Sequence, residues 1–173
     1  MPDAAAPRFL VERVEASSFE VVLPLIAEYQ RFYGREADES RNRRFFGELL
    51  GDNPHGLQLV ARQGPHAIGF ATLYWVRVST SATTVALLND LYVLPGHRGG
   101  REAGVGTALL REAAREAGDR GLPQLVWETA PDNRAAQALY DRFLREAADP
   151  GAPSTWIHYS YPLSFRGNND PLP

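Results

Sequence analysis

The sequence predicts a single mixed α/β domain built on a central sheet, and three observations carry that reading. The 173 residues are 44% apolar and 23% charged, which suits one well-filled core and leaves little room for a second. Three strand-like runs between residues 57 and 94 follow one another through short turns, the pattern of an antiparallel meander. From Gly104 onward the pattern changes to helix, strand, helix, strand, so the sheet gains a β-α-β crossover and with it a parallel strand pair.

Each element has its own signal. Phe9-Leu10-Val11 and Val14 predict a first strand at about 8–14. Ser17 or Ser18 can cap a helix to about Tyr33, in which Phe19, Val22, Leu23, Ile26 and Tyr29 recur near the helical period. Pro24 falls inside that run and predicts a late start or a bend; Gly34 ends it. A second helix spans Glu39 to Leu50, closed by Gly51. Leu57 to Val60 and Ala67 to Val78 flank a Gly64-Pro65 turn and predict a hairpin. Thr83 to Leu94 is a further strand, stopped by Pro95. Gly104 to Gly121 is an amphipathic helix, Leu125-Val126-Trp127 a short strand, Asn133 to Ala147 another helix, and Trp156 to Tyr161 a last strand. Residues 1–173 form one domain with a core over about 8–164 and loose tails at 1–7 and 166–173.

Composition excludes several function classes. Net charge is −3, from 21 acidic and 18 basic residues, which argues against nucleic acid as a main ligand. There is no cysteine, so disulfides, thiolate metal sites and cysteine nucleophiles are absent. All basic residues are arginine, which removes a Schiff-base or P-loop lysine. His55, His66, His97 and His158 do not fall at metal-ligand spacing on one element, so no metal is expected. No run approaches the ~20 apolar residues needed to cross a membrane, and the start of the chain lacks a signal-peptide pattern. A cytoplasmic location is expected.

The informative stretch runs from Leu88 to Tyr140. A strand ends at Pro95. A loop follows with Gly99, Gly100, Gly104 and Gly106 and two arginines, Arg98 and Arg101, and a helix begins at about Gly104. Glycines let backbone N–H groups converge on one anion, and the helix start adds about half a positive charge. This is a phosphate or diphosphate cradle without a lysine. The dinucleotide fingerprint of glycines is not matched in register, and no Walker A sequence exists.

Asp90-Leu91-Tyr92-Val93, Pro95, Arg98-Gly99 and Arg101-x-x-Gly104-x-Gly106, taken in that order, resemble motif A of the GNAT superfamily of acetyl-CoA-dependent N-acetyltransferases. Asn133 with Ala138-Leu139-Tyr140 is similar to motif B. Tyr29 to Gly34 and Ser79-Thr80-Ser81 resemble a branch that acetylates small amines, polyamines or protein lysines. The resemblance covers nearly the whole chain and is strongest from 88 to 140. It implies a GNAT-type fold with a splayed parallel strand pair, acetyl-CoA as the cofactor, and acetyl transfer to a primary amine of a small molecule or polyamine by direct attack in a ternary complex. A non-catalytic acyl-CoA sensor and a protein-lysine or N-terminal acetyltransferase are the alternatives. The family often forms dimers, so a homodimer is allowed.

The same resemblance implies the site residues. Pantetheine would pair with the backbone of Leu91, Tyr92 and Val93. The diphosphate would sit on Arg101, Glu102, Ala103, Gly104, Val105, Gly106 and Thr107, with Arg98 competing with Arg101 for the arginine position because the loop is three residues longer than usual. Asn133 and Tyr140 would approach the cofactor, and Tyr140 matches the general acid that protonates the departing sulfur. Asn89 stands where diamine acetyltransferases carry a glutamate, so that base is not transferred. Asp90, directly or through water, Glu128, or a water relay remain as routes for the amine proton. Tyr29, Tyr33, Tyr74 and Asn89 are the expected acceptor-side residues. Glu36, Asp38 and Glu39 form an acidic run that could attract a polyamine, although Arg41, Arg43 and Arg44 follow at once.

Overall fold

The computed structural model describes residues 9–99, 104–148 and 150–161. Both expected tails, and the loop positions Gly100 to Ala103, lie outside them. The described chain folds as β1 (Leu10–Arg13), α1 (Phe19–Phe32), α2 (Glu39–Gly47), β2 (Gly56–Gln63), β3 (His66–Val78), β4 (Thr83–Val93), α3 (Val105–Asp119), β5 (Leu125–Trp127) and α4 (Arg134–Leu144), with one 3-10 turn at Pro95–His97. The five strands lie in sequence order; β1 to β4 pair antiparallel and β4 with β5 parallel.

Alternation along the strands sorts side chains onto two faces. Leu57, Leu59, Ala71, Leu73 and Leu88 point to one side, where α3 lays Leu109, Leu110 and Ala113 on them. Val60, Phe70 and Tyr92 point to the other, under Val22, Ile26 and Phe46 of α1 and α2. The helix signals were sound in type and less so at the ends. α1 runs unbroken through Pro24, whose ring is exposed; what is lost is one N–H donor to the Glu20 carbonyl. α2 stops at Gly47 and α4 at Leu144, each three residues short of expectation, because the chain unwinds into turns there.

One expected strand is absent. Residues 150–161 have no regular structure, and Trp156, Tyr159 and Tyr161 are 83–85% exposed rather than packed in the core. A period-two pattern becomes a strand only when a neighbour accepts its hydrogen bonds. β5 is three residues long and offers almost no edge. Trp127 does pack inward, with its ring centroid 5.4 Å from that of Tyr140.

Two features of β4 shape the site. Its pairing with β5 ends at Leu88–Trp127. Its pairing with β3 jumps from Leu73–Leu88 to Thr72–Asp90, leaving Asn89 as an extra residue. Such a bulge turns the strand by one residue, so Asp90 shares the α1 face with Tyr92. Beyond Leu88, the β5 side of β4 is an open edge.

Candidate active site

Where β4 and β5 separate, a cleft of about 320 Å³ opens between the two helical layers. α1 contributes Tyr29, Phe32 and Tyr33; β4 contributes Leu91, Tyr92 and Val93; the loop gives His97, Arg98 and Gly99; α3 gives Gly106 and Thr107 behind Gly104; and α4 gives Asn133, Leu139, Tyr140 and Arg142 among others. Most of the expected site residues therefore meet in one place. Tyr74, Asn89 and Asp90 are not in that lining, Asp90 being buried and Asn89 exposed, and Val105 turns its side chain into the core. Arg101, Glu102 and Ala103 are outside the described residues. Glu128 is exposed, past the end of β5, and does not line the cleft.

The α3 side is made of backbone. Gly104 is the N-cap of α3 and makes no side-chain cap, and the first turn holds no acidic residue. The N–H groups that open a helix have no partner within it, so they remain free for an anion. Gly106 faces α4: a Cβ there would lie 3.0 Å from Leu139 Cδ2. A side chain there would press on the flexible end of Leu139, so glycine eases the approach of the two helices. The open edge of β4 faces the same space. Leu94 N–H donates to Ile68 O, toward β3, so alternation turns the backbone groups of Val93 and Leu91 the other way, into the cleft. Asn133 caps α4, its side-chain oxygen accepting from the Ala136 N–H at 3.2 Å.

The α1 side is made of side chains. The Tyr29 ring packs edge-on to Tyr33, at 5.0 Å between centroids, and to Phe70, at 5.5 Å, and lies 5.6 Å from Tyr92. Burial, then the adjacent Asp90 carboxylate, raises the Tyr29 phenol far above its ordinary range. The same two causes push Tyr74 up to about 12. Asp90 is almost fully buried and accepts a hydrogen bond from Asn89 Nδ2 at 3.1 Å. Across the cleft, burial, with a smaller contribution from Tyr33, raises the Tyr140 phenol and keeps its proton in place.

Four lining residues, Phe32, Ala135, Ala136 and Arg142, were not singled out from sequence. Phe32 carried no signal beyond its neighbour Tyr33. Arg142 stands seven residues after Ala135 and three after Leu139, so helical spacing could have placed it on the cleft face. Ala136 follows from the same period. Glu39 pairs with Arg43 and Asp38 caps α2, which leaves little of the acidic run free. Among the described residues, no three His, Cys, Asp or Glu side chains could hold a metal ion, and no helix is long and apolar enough to cross a membrane.

Comparison with known proteins agrees with this geometry. Residues 22–144 match the model of the acetyltransferase (GNAT) family. An uncharacterized N-acetyltransferase, YhfO of Bacillus subtilis (strain 168), is 31% identical over 132 residues, spanning 76% of this chain and 86% of the relative. The thialysine N-epsilon-acetyltransferase of Bos taurus is 35% identical over 78 residues, but that match spans only 45% of this chain and 44% of the relative. The fold is shared with the crystal structure of a probable acetyltransferase (TM-score 0.71, 23% identity, 91% of this chain and 99% of that one). It is shared also with the aminoglycoside N-acetyltransferase AAC(6')-Iy in complex with CoA (TM-score 0.74, 17% identity, 92% and 98%).

Proposed function

Because the chain belongs to the acetyltransferase (GNAT) family and is an acyltransferase, we propose that it moves the acetyl group of acetyl-CoA to a primary amine of a small molecule, by direct attack within a ternary complex. The observation that carries this reading is the meeting, in one cleft, of the uncapped first turn of α3 with the open edge of β4. The residues fit a CoA ester. The N–H groups of Val105, Gly106 and Thr107 are free for a diphosphate, Arg142 adds positive charge nearby, and the backbone of Leu91 and the N–H of Val93 suit an amide-bearing chain. Bound there, acetyl-CoA supplies an acetyl group activated as a thioester.

The chain's own residues supply positioning and proton handling. Holding the reacting groups side by side is a large part of such catalysis. The acceptor enters from the α1 side, over Tyr29, Phe32 and Tyr33. Its ammonium must lose a proton before it can attack. Asp90 stands behind the Tyr29 hydroxyl, so Tyr29 Oη donates its proton to the carboxylate while accepting one from the amine. Tyr140 Oη keeps its proton through neutral pH because burial disfavours the phenolate, and it can pass that proton to the departing sulfur. The burial that raises the phenol also penalises a bare thiolate, whose ordinary pKa is about 8.5.

A panel of small amines, with thiol release as the readout, tests the reading. Thiol release that depends on both acetyl-CoA and an amine is expected. In Tyr140→Phe, kcat should fall by about 10²-fold while CoA affinity holds. No amine-dependent release from any acceptor would instead fit a protein that only senses acyl-CoA.

A further inference from the structure

Arg98 brings a guanidinium to the cleft and, among the described residues, has no carboxylate partner. Its Nε donates to Val93 O at 2.7 Å, and that bond fixes where the guanidinium lies. The guanidinium carbon sits 5.5 Å from the centroid of the Phe32 ring and 5.4 Å from that of Tyr92. These rings are on the α1 side, where the acceptor enters. The two terminal nitrogens form no hydrogen bond or ion pair with any described residue, and the described lining of the cleft includes no Asp or Glu. A guanidinium that is stacked, gripped through Nε and left with its outer edge open is a preorganised fork for a carboxylate. Asp90, the carboxylate beside Tyr29, is already bonded to Asn89 and faces Tyr29 and Tyr74.

Resting on the transferase reading above, we infer that Arg98 binds the carboxylate of the acceptor, and that the acceptor class is an amino acid carrying a free side-chain or α-amine rather than a simple polyamine. The acceptor side then presents opposite charges at its two ends. Arg98 takes the carboxylate, the Tyr29–Asp90 pair takes the ammonium proton, and Phe32, Tyr33 and Tyr92 cover the carbon chain between them. A polyamine would instead bring a second cation toward Arg98. Arg98 acts here as a specificity residue, and it leaves the diphosphate to α3.

The test compares acceptors that share a reactive amine and differ by one carboxylate: an aliphatic diamine and the α,ω-diamino acid derived from it. The native protein is expected to favour the diamino acid in kcat/KM by about tenfold or more. Arg98→Gln should remove that preference through KM, and Arg98→Lys should keep part of it. In titration calorimetry on the CoA-loaded protein, Arg98→Gln should weaken the diamino acid by about tenfold and leave CoA affinity within about twofold. A native preference for the diamine overturns the inference. So does an equal loss for both acceptors, or a collapse of CoA affinity, which would make Arg98 a phosphate ligand. Turnover of diamines alone removes the carboxylate site and leaves the transferase intact. If no amine releases thiol, the transferase reading fails, and calorimetry still decides whether the carboxylate is bound.

Discussion

The two walls of the cleft are built from different materials. The α3 wall is main chain: an uncapped helix start, a glycine that admits Leu139, and a strand edge left open where β5 stops. The α1 wall is side chains: four aromatic rings, a buried carboxylate behind two tyrosines, and one stacked arginine. A main-chain wall binds what any sequence with that backbone would bind. A side-chain wall distinguishes one ligand from another. The cofactor should therefore be insensitive to most side-chain changes and very sensitive to backbone ones, and the acceptor the reverse.

Gly106→Asp is the sharpest way to break that contrast. It adds a Cβ 3.0 Å from Leu139 Cδ2 and sets a carboxylate among the N–H groups meant for a diphosphate. CoA affinity should fall by about 10²-fold or more, measured by calorimetry. Gly106→Ala carries the steric part without the charge and should fall less. If Gly106→Asp binds CoA normally, the α3 wall is not the diphosphate site.

The difference between the walls also explains what could be read beforehand. The glycines of the α3 wall stood out through the resemblance of Arg101-x-x-Gly104-x-Gly106 to a family motif, since glycines after a strand by themselves also suit an ordinary loop. The same stretch, with the switch from strand to helix after Pro95, gave the crossover and the parallel pair. The α1 wall was legible only in part. Tyr29 and Tyr33 follow the helical period, yet nothing in Leu88-Asn89-Asp90-Leu91 marks Asn89 as the extra residue that turns Asp90 toward α1; that is decided by how β3 pairs with β4. Trp156 to Tyr161 shows the opposite failure. Local alternation there is as strong as in β3, and no partner makes it a strand. Arg98 was visible as an arginine in a phosphate-type loop, while its seat over Phe32 and Tyr92 depends on helix packing that the loop does not encode.

A smaller effect sharpens the α1 side. Tyr74 is raised to about 12, first by burial and then by Asp90. An exposed phenol titrates near 10. Between those values the folded protein holds a proton that the unfolded chain has released, so this contribution to stability is present below about pH 10 and is lost as the pH rises through about 12. Asp90→Asn removes the second cause and leaves the first. Ultraviolet titration should show Tyr74 between those two limits, and the alkaline loss of stability, followed by denaturant midpoints, should level off at a lower pH. If Asp90→Asn leaves the tyrosine titration unchanged, the carboxylate does not act on these phenols, and the proton route through Tyr29 fails with it.

The smallest effect concerns α4, which carries Tyr140 to the boundary between the two walls. Asn133 caps this helix through the Ala136 N–H, and removing such a cap typically costs about 1 kcal/mol. Asn133→Ala should lower the melting temperature by a few degrees, a shift of the size that about 1 kcal/mol produces in a domain of this length. The Tyr140 ring is held further along the helix, against Trp127 and the α3 core, so fraying the first turn should leave it in place and kcat nearly unchanged. CoA affinity should also hold, because the Asn133 oxygen is committed to its own helix. A loss of kcat as deep as that expected for Tyr140→Phe, or a marked loss of CoA affinity, would mean that Asn133 reaches the ligand through its side chain. The α3–α4 wall would then recognise its ligand through side chains as well as main chain, and the division of labour drawn above would not hold on that side of the cleft.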